Sequence, residues 1–75
     1  MEYDIGSKIK AARLKKKMTQ EQVAELLGVS RQTISNWELN ETSPDLKQAQ
    51  KLTEIFNISM DELIGNKSII LEKID

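Results

Sequence analysis

Two helix start signals flank a very short break, and this arrangement constrains the fold more than any other feature of the chain. Thr19 and Gln22 have the spacing of a capping box, and Gly28 ends the apolar stretch that follows. Ser30 is then positioned to cap another helix. Because only Gly28, Val29 and Ser30 separate the two helices, the chain must turn sharply between them. The sequence therefore predicts two short helices at a steep angle.

The remainder of the chain is also predicted to be helical, because apolar residues recur at helical spacing and no convincing alternating strand precedes residue 66. We predict five helices: about Ile5 to Lys16, Gln20 to Leu27, Ser30 to Glu38, a fourth beginning at Ser43-Pro44-Asp45, and a fifth opening at Ser59 and ending near Gly65. The predicted fold class is all-α, a five-helix bundle with a helix-turn-helix.

The fourth helix is assigned from Ser43 as its cap, with Pro44 in the first turn and Asp45 at the positive end of the helix. Its predicted core stripe is Leu46, Ala49, Leu52, Ile55 and Phe56.

A chain of 75 residues holds one small domain, because it buries only about 60% of its unfolded surface. We place this domain at residues 1–65 and a C-terminal tail at residues 66–75. The tail carries Ile69, Ile70, Leu71 and Ile74, which is too apolar for a purely solvated segment. An edge strand, a docking helix, a dimer contact and the start of a linker all remain open for it.

The composition argues against an enzyme, because the chain has no cysteine and no histidine. Thiol nucleophiles, imidazole bases and the usual zinc ligands are therefore missing, and we expect no metal and no cofactor. The acidic pairs Asp61 with Glu62 and Glu21 with Glu25 fit solvated helix faces. No apolar run approaches 18 residues and the first residues lack the pattern of a secretory signal, so we expect a cytoplasmic protein and no membrane.

The net charge of -1 is mildly unfavourable for a nucleic-acid partner, but the charge is unevenly distributed. Residues 1–17 carry six positive and two negative charges, whereas residues 38–75 carry four and eight. A molecule polarised in this way can present a positive face to phosphate. Lysines that simply solvate the first helix are the alternative explanation for Lys15, Lys16 and Lys17.

The stretch from Thr19 to Glu38 resembles the Cro and repressor-like helix-turn-helix family (phage lambda repressor-like, XRE-type), and the similarity extends over about residues 5–65. The residues that carry it are Thr19-Gln20, Ala24, Gly28-Val29-Ser30, Ile34, Trp37-Glu38 and Pro44. In this family, whose phage repressors are a standard example of such docking, the second helix of the motif lies in the major groove of DNA.

The resemblance implies roles for individual residues. The expected base-reading residues are Arg31, Gln32, Ser35 and Asn36, whose planar groups suit the edges of guanine and adenine. The expected contacts to the DNA backbone are Gln20, Thr33 and Lys10. Arg13 and Glu38 match an ion pair that joins helix 1 to the end of helix 3, and Trp37 is expected to pack in the core rather than stack on a base.

Three positions depart from the family pattern. Lys17 stands where relatives often have glycine, which suggests a slightly altered turn after helix 1. Leu39 replaces a polar or basic phosphate contact, and Asn40 stands at the usual glycine. We therefore expect a weaker grip on the DNA backbone after helix 3.

The predicted function is that of a sequence-specific regulator of transcription, a repressor that binds double-stranded DNA as a homodimer on a partly palindromic operator. An antitoxin that binds both operator DNA and a toxin protein is the alternative. A module that only binds proteins is disfavoured by the amide-rich exposed face of helix 3. The sequence leaves any protein partner open.

Overall fold

The computed structural model describes residues 4–64. Within that range the chain forms five α-helices and no strand: α1 (Ile5–Lys15), α2 (Gln20–Leu27), α3 (Arg31–Glu38), α4 (Leu46–Phe56) and α5 (Met60–Ile64). The all-α, five-helix fold is therefore confirmed. The predicted end at Gly65 and the predicted tail 66–75 lie outside the described residues. None of the described helices is both long and apolar enough to cross a membrane.

The local start and stop signals place the first helices as predicted. Thr19 Oγ1 accepts a hydrogen bond from Gln22 N at 3.0 Å, and Gln22 Oε1 accepts one from Thr19 N at 2.8 Å. Gly28 ends α2 in the left-handed conformation, with φ of 75°. Ser59 and Glu62 form the equivalent box before α5. Each box satisfies two backbone N–H groups that have no partner within the helix.

The fourth helix begins later than predicted, and the assignment of Ser43 as its cap is wrong. The cap is Asp45, whose Oδ1 accepts a hydrogen bond from Gln48 N at 2.7 Å while Gln48 Oε1 accepts one from Asp45 N at 2.9 Å. Ser43 has Leu46 three residues on, which cannot return such a bond. The reciprocal pair therefore determines the start, and Pro44 precedes the cap.

The core draws on all five helices of the described chain. Its buried residues are Ile9, Val23, Ala24, Ile34, Trp37, Ala49, Leu52, Phe56 and Leu63. The prediction for α4 is right at Ala49, Leu52 and Phe56, with Ile55 half-buried. It is wrong at Leu46, the first residue of the helix, which is 71% exposed.

Helix α1 approaches the end of α3 at a glycine. A methyl group on Gly6 would lie 2.5 Å from the carbonyl oxygen of Trp37 and 2.6 Å from that of Glu38. The approach brings the positive end of α1 beside the carbonyl end of α3, which favours both helix dipoles. Gly6 therefore serves close packing and has no unusual φ to accommodate.

Asn40 fastens the same junction. It takes the left-handed conformation with φ of 62°, which asparagine tolerates better than most residues. Its Oδ1 accepts a hydrogen bond from Gly6 N at 3.0 Å, and its Nδ2 donates to Asp4 Oδ1 at 2.7 Å. The bond from Asn40, together with bonds from Ser7, holds the pKa of the Asp4 carboxyl below its usual range. Asparagine at this position thus makes bonds that glycine cannot.

The turn between α1 and α2 is made without glycine. Lys17 adopts the left-handed conformation with φ of 59°, the region that glycine favours. Met18 N donates to Arg13 O at 3.0 Å across the turn. The backbone therefore follows a left-handed turn at Lys17 although a side chain is present there.

A nearly buried ion pair joins α1 to α3. Arg13 Nε donates to Glu38 Oε2 at 2.7 Å, and Arg13 Nη2 donates to Glu38 Oε1 at 3.2 Å. The side chains are only 10% and 5% exposed. Arg13 Nη1 also donates to the carbonyl of Met18 at 2.9 Å, so the guanidinium ties the turn before α2 to the same carboxylate.

We expect Glu38→Ala to lower the free energy of unfolding by about 3 to 5 kcal/mol, because it leaves the Arg13 guanidinium buried without its counter-charge. Chemical denaturation followed by circular dichroism measures the loss. Glu54→Ala on the exposed face of α4 is the matched control and should stay within about 0.5 kcal/mol of the parent. An unchanged stability for Glu38→Ala would contradict the structural role of the pair.

We also expect Gly6→Ala to cost about 1 to 3 kcal/mol, although alanine is the better helix former, because the added methyl group meets two backbone carbonyls that cannot move aside independently. Thermal and chemical denaturation measure the effect, with Lys10→Ala on the exposed face of α1 as control. A stabilised Gly6→Ala protein would show that α1 and α3 do not approach this closely.

Candidate nucleic-acid interface

The N-terminus of α3 is held by a cap and a short turn. Ser30 Oγ accepts a hydrogen bond from Thr33 N at 3.1 Å. Gly28 has open space around the position of a side chain, so glycine is needed there for its φ alone. The turn aims the first residues of α3 outward, on the side of the molecule where α2 also begins.

Helix α3 has two contrasting faces. Ile34 and Trp37 are buried, so Trp37 packs in the core. Arg31 and Gln32 are exposed, whereas Ser35, Asn36 and Thr33 are half-buried at the edges of the outward face. All four predicted base-reading residues therefore belong to one polar surface, which we call the α3 face: Arg31, Gln32, Ser35 and Asn36.

Two amides of the α3 face bond to each other. Gln32 Nε2 donates to Asn36 Oδ1 at 3.0 Å, across one turn of the helix. This leaves the Gln32 oxygen as an acceptor, and the Asn36 nitrogen and the second N–H of Gln32 as donors. In the major groove, adenine presents an acceptor, N7, beside a donor, the N6 amino group. A pair of side chains that offers a donor beside an acceptor is complementary to this edge.

Gln20, the first residue of α2, lies between two charged side chains. Its Nε2 donates to Glu38 Oε1 at 3.0 Å, and its Oε1 accepts a hydrogen bond from Arg31 Nη1 at 3.2 Å. One amide N–H of Gln20 remains for another acceptor. Sequence reasoning named Gln20, Arg31 and Glu38 separately and missed this connection, because they lie on different helices and no local pattern relates them.

The other predicted backbone-contacting residues differ in their surroundings. Thr33 Oγ1 lies 3.0 Å from Ser30 Oγ, so its hydroxyl already has a partner in the cap. Lys10 is exposed on α1, and no hydrogen bond joins it to the α3 face within residues 4–64. Leu39, at the end of α3, is 64% exposed and offers an apolar surface where a phosphate contact would need a polar one.

The chain matches the helix-turn-helix family model over residues 9–63. The transcriptional activator BcrR of Enterococcus faecalis is 34% identical over 67 residues, which cover 89% of this chain and 33% of BcrR. The regulator ImmR of Bacillus subtilis is 34% identical over 65 residues, covering 87% of this chain and 51% of ImmR. The chain thus spans between a third and about half of the length of these two relatives.

A solved structure is similar over nearly its whole length. The P22 c2 repressor, determined in complex with a synthetic operator, superimposes with a TM-score of 0.75 and 35% identity, covering 80% of this chain and 91% of that one. The match to the family model, the order of the helices and the short turn before α3 all indicate the same family. The chain therefore belongs to the Cro and repressor-like helix-turn-helix family, whose members include transcriptional regulators and phage repressors.

Proposed function

We propose that the chain binds double-stranded DNA sequence-specifically and regulates transcription by reading the major groove with α3. The observation that carries the proposal is the α3 face: polar side chains stand outward on a helix whose opposite face is packed in the core by Ile34 and Trp37. A rigid helix of this width fits the major groove, where each base pair presents a distinct pattern of donors and acceptors.

The side chains of the α3 face have the chemistry for base edges. Arg31 suits guanine, to which arginine donates two hydrogen bonds, and the paired amides of Gln32 and Asn36 suit adenine. Ser35 lies between them along the helix and contributes a hydroxyl. The similar P22 c2 repressor was solved with operator DNA, which supports the same use of the fold here.

Contacts to the phosphates are proposed for the residues that border the α3 face. Gln20 retains one free N–H at the start of α2, where exposed backbone N–H groups also favour an anion. Lys10 adds a positive charge from α1, and Thr33 contributes through its hydroxyl. We propose no such contact for Leu39.

We further propose that the regulator represses and that it acts as a homodimer. Repression follows from occupying an operator, whereas activation requires an additional contact with the transcription machinery. One copy of α3 reads too few base pairs to find a site in a genome, so two copies on a partly palindromic operator are needed. Residues around α5 and in the tail 66–75 are proposed to contribute the dimer contact. The antitoxin alternative adds a protein partner to the same DNA-binding mode.

The test of base reading is a set of alanine variants measured on a selected operator and on its single-base variants. Gln32→Ala and Asn36→Ala should each cost about 1 to 3 kcal/mol and relax preference at one or two positions. Because the two amides are hydrogen-bonded to each other, the double variant should lose less than the sum of the single losses. Lys10→Ala should instead weaken all duplexes equally and lower the slope of log K against log salt by about one. Folded variants that keep the parent affinity and preference would rule out α3 as the reader.

The dimer is tested by footprinting on the same operator. We expect two protected half-sites on one side of the duplex, with centres about 34 Å apart, because two-fold related recognition helices enter successive turns of the major groove. Analytical ultracentrifugation with the labelled duplex should give two protein chains per operator. A single protected half-site at saturating protein would exclude the dimer and leave base reading by one copy untouched.

A further inference from the structure

A chain of hydrogen bonds leads from the buried ion pair to the first residue of α3. Arg13 donates to Glu38, Gln20 donates to Glu38, and Arg31 donates to Gln20, with donor–acceptor distances of 2.7 to 3.2 Å. The chain begins at Arg13, whose side chain is 10% exposed, and ends at Arg31, which is exposed. Four side chains from three helices are thus connected from the core to the α3 face.

The charge on Glu38 determines which way the Gln20 amide points. A carboxylate oxygen only accepts hydrogen bonds, so the Gln20 nitrogen must face Glu38 and its oxygen must face away. Arg31 only donates, so it can bond to that oxygen and to nothing else on the amide. The amide orientation therefore follows from the chemistry at both ends, because reversing it would set two acceptors against each other at Glu38 and two donors at Arg31.

The link uses little of the bonding capacity of Arg31. One N–H of Nη1 points at Gln20 Oε1, which leaves four of the five guanidinium donors for a base. An exposed arginine normally samples many rotamers, and holding it in advance reduces the entropy lost when it pairs with guanine. The chain of bonds can therefore affect how well Arg31 discriminates between base pairs.

We propose that Glu38, acting through Gln20, is a positioning residue that sets the base preference of Arg31. The inference rests on the proposed DNA-binding function and adds a second role to a side chain whose first role is to hold the fold. It also adds a role to Gln20, which positions Arg31 as well as bordering the phosphates.

The informative substitution is Glu38→Gln, which keeps the shape of the side chain. It replaces one of the two acceptor oxygens of the carboxylate with a nitrogen that donates hydrogen bonds. If the new amide nitrogen takes the place of Oε2, it faces Arg13 Nε and two donors meet in a buried position. If it takes the place of Oε1, it faces Arg13 Nη2 and Gln20 Nε2 together, and the Gln20 amide must turn over and direct its nitrogen at Arg31. Neither arrangement satisfies all the partners, so Arg31 loses its acceptor or the pair with Arg13 is weakened.

The experiment measures discrimination at the base pair that Arg31→Ala identifies, as the ratio of affinities for two duplexes that differ only there. A ratio is insensitive to the fraction of folded protein, so a loss of stability in Glu38→Gln does not affect it. Arg31→Ala should remove about 5- to 150-fold of discrimination, and Glu38→Gln and Gln20→Ala should each remove about threefold or more at the same pair. Neither should change the ratio further in an Arg31→Ala background. Gln50→Ala, on the exposed face of α4, is the control.

A second measurement follows the side-chain amide of Gln20 by NMR in the free protein. Its resonances should shift in Arg31→Ala and in Glu38→Gln and should stay in place in Gln50→Ala. Two results would overturn the proposal and leave the DNA-binding function intact. One is that the Gln20 resonances do not shift. The other is that Arg31→Ala abolishes discrimination while Glu38→Gln and Gln20→Ala both leave it unchanged. A parent protein that prefers no duplex would refute the proposed function itself, and this inference with it.

Discussion

The orientation of α3 depends on one carboxylate. Glu38 is 5% exposed in its side chain, and a charge at that depth is tolerated only when its oxygens are bonded. Arg13 supplies two of these bonds from α1 and Gln20 supplies a third from the start of α2. The guanidinium of Arg13 also bonds to the carbonyl of Met18 in the turn between these helices. Three elements therefore meet at one ion pair, and the angle at which α3 leaves the core follows from it.

A second contact joins α1 to α3, near the start of α1. Gly6 lets the two backbones approach, and Asn40 bonds to Gly6 N and to Asp4 immediately after α3. The ion pair reaches α1 near its end, at Arg13, and this contact reaches α1 near its start, at Gly6, so α1 is held at two points against the C-terminal end of α3. A reading helix benefits from such rigidity, because side chains held in advance lose less entropy when they bind.

The side chains that contact the DNA in our proposal are also held in place before binding. Arg31 is held by Gln20, and Gln32 is held by Asn36. The α3 face is thus organised before any partner arrives, and the acceptors and donors left free define what it can read. Leu39 ends this organised surface with an exposed apolar side chain, so we expect the grip on the backbone to rest more on α1 and α2.

The sequence alone determined the elements whose signals lie within a few residues of each other: the capping box before α2, the end of α2 at Gly28, the cap of α3 at Ser30 and the start of α5 at Ser59. The prediction of Ser43 as the cap of α4 is wrong because it overlooks a signal of the same local kind, the capping box that Asp45 forms with Gln48 three residues later. Tertiary structure decided the contacts between residues 11 to 36 positions apart, namely the Gln20 bonds, the close approach at Gly6 and the bonds of Asn40. Capping and turn chemistry act through neighbouring backbone groups and are visible in the order of residues, whereas these contacts arise only when packed helices bring distant side chains together.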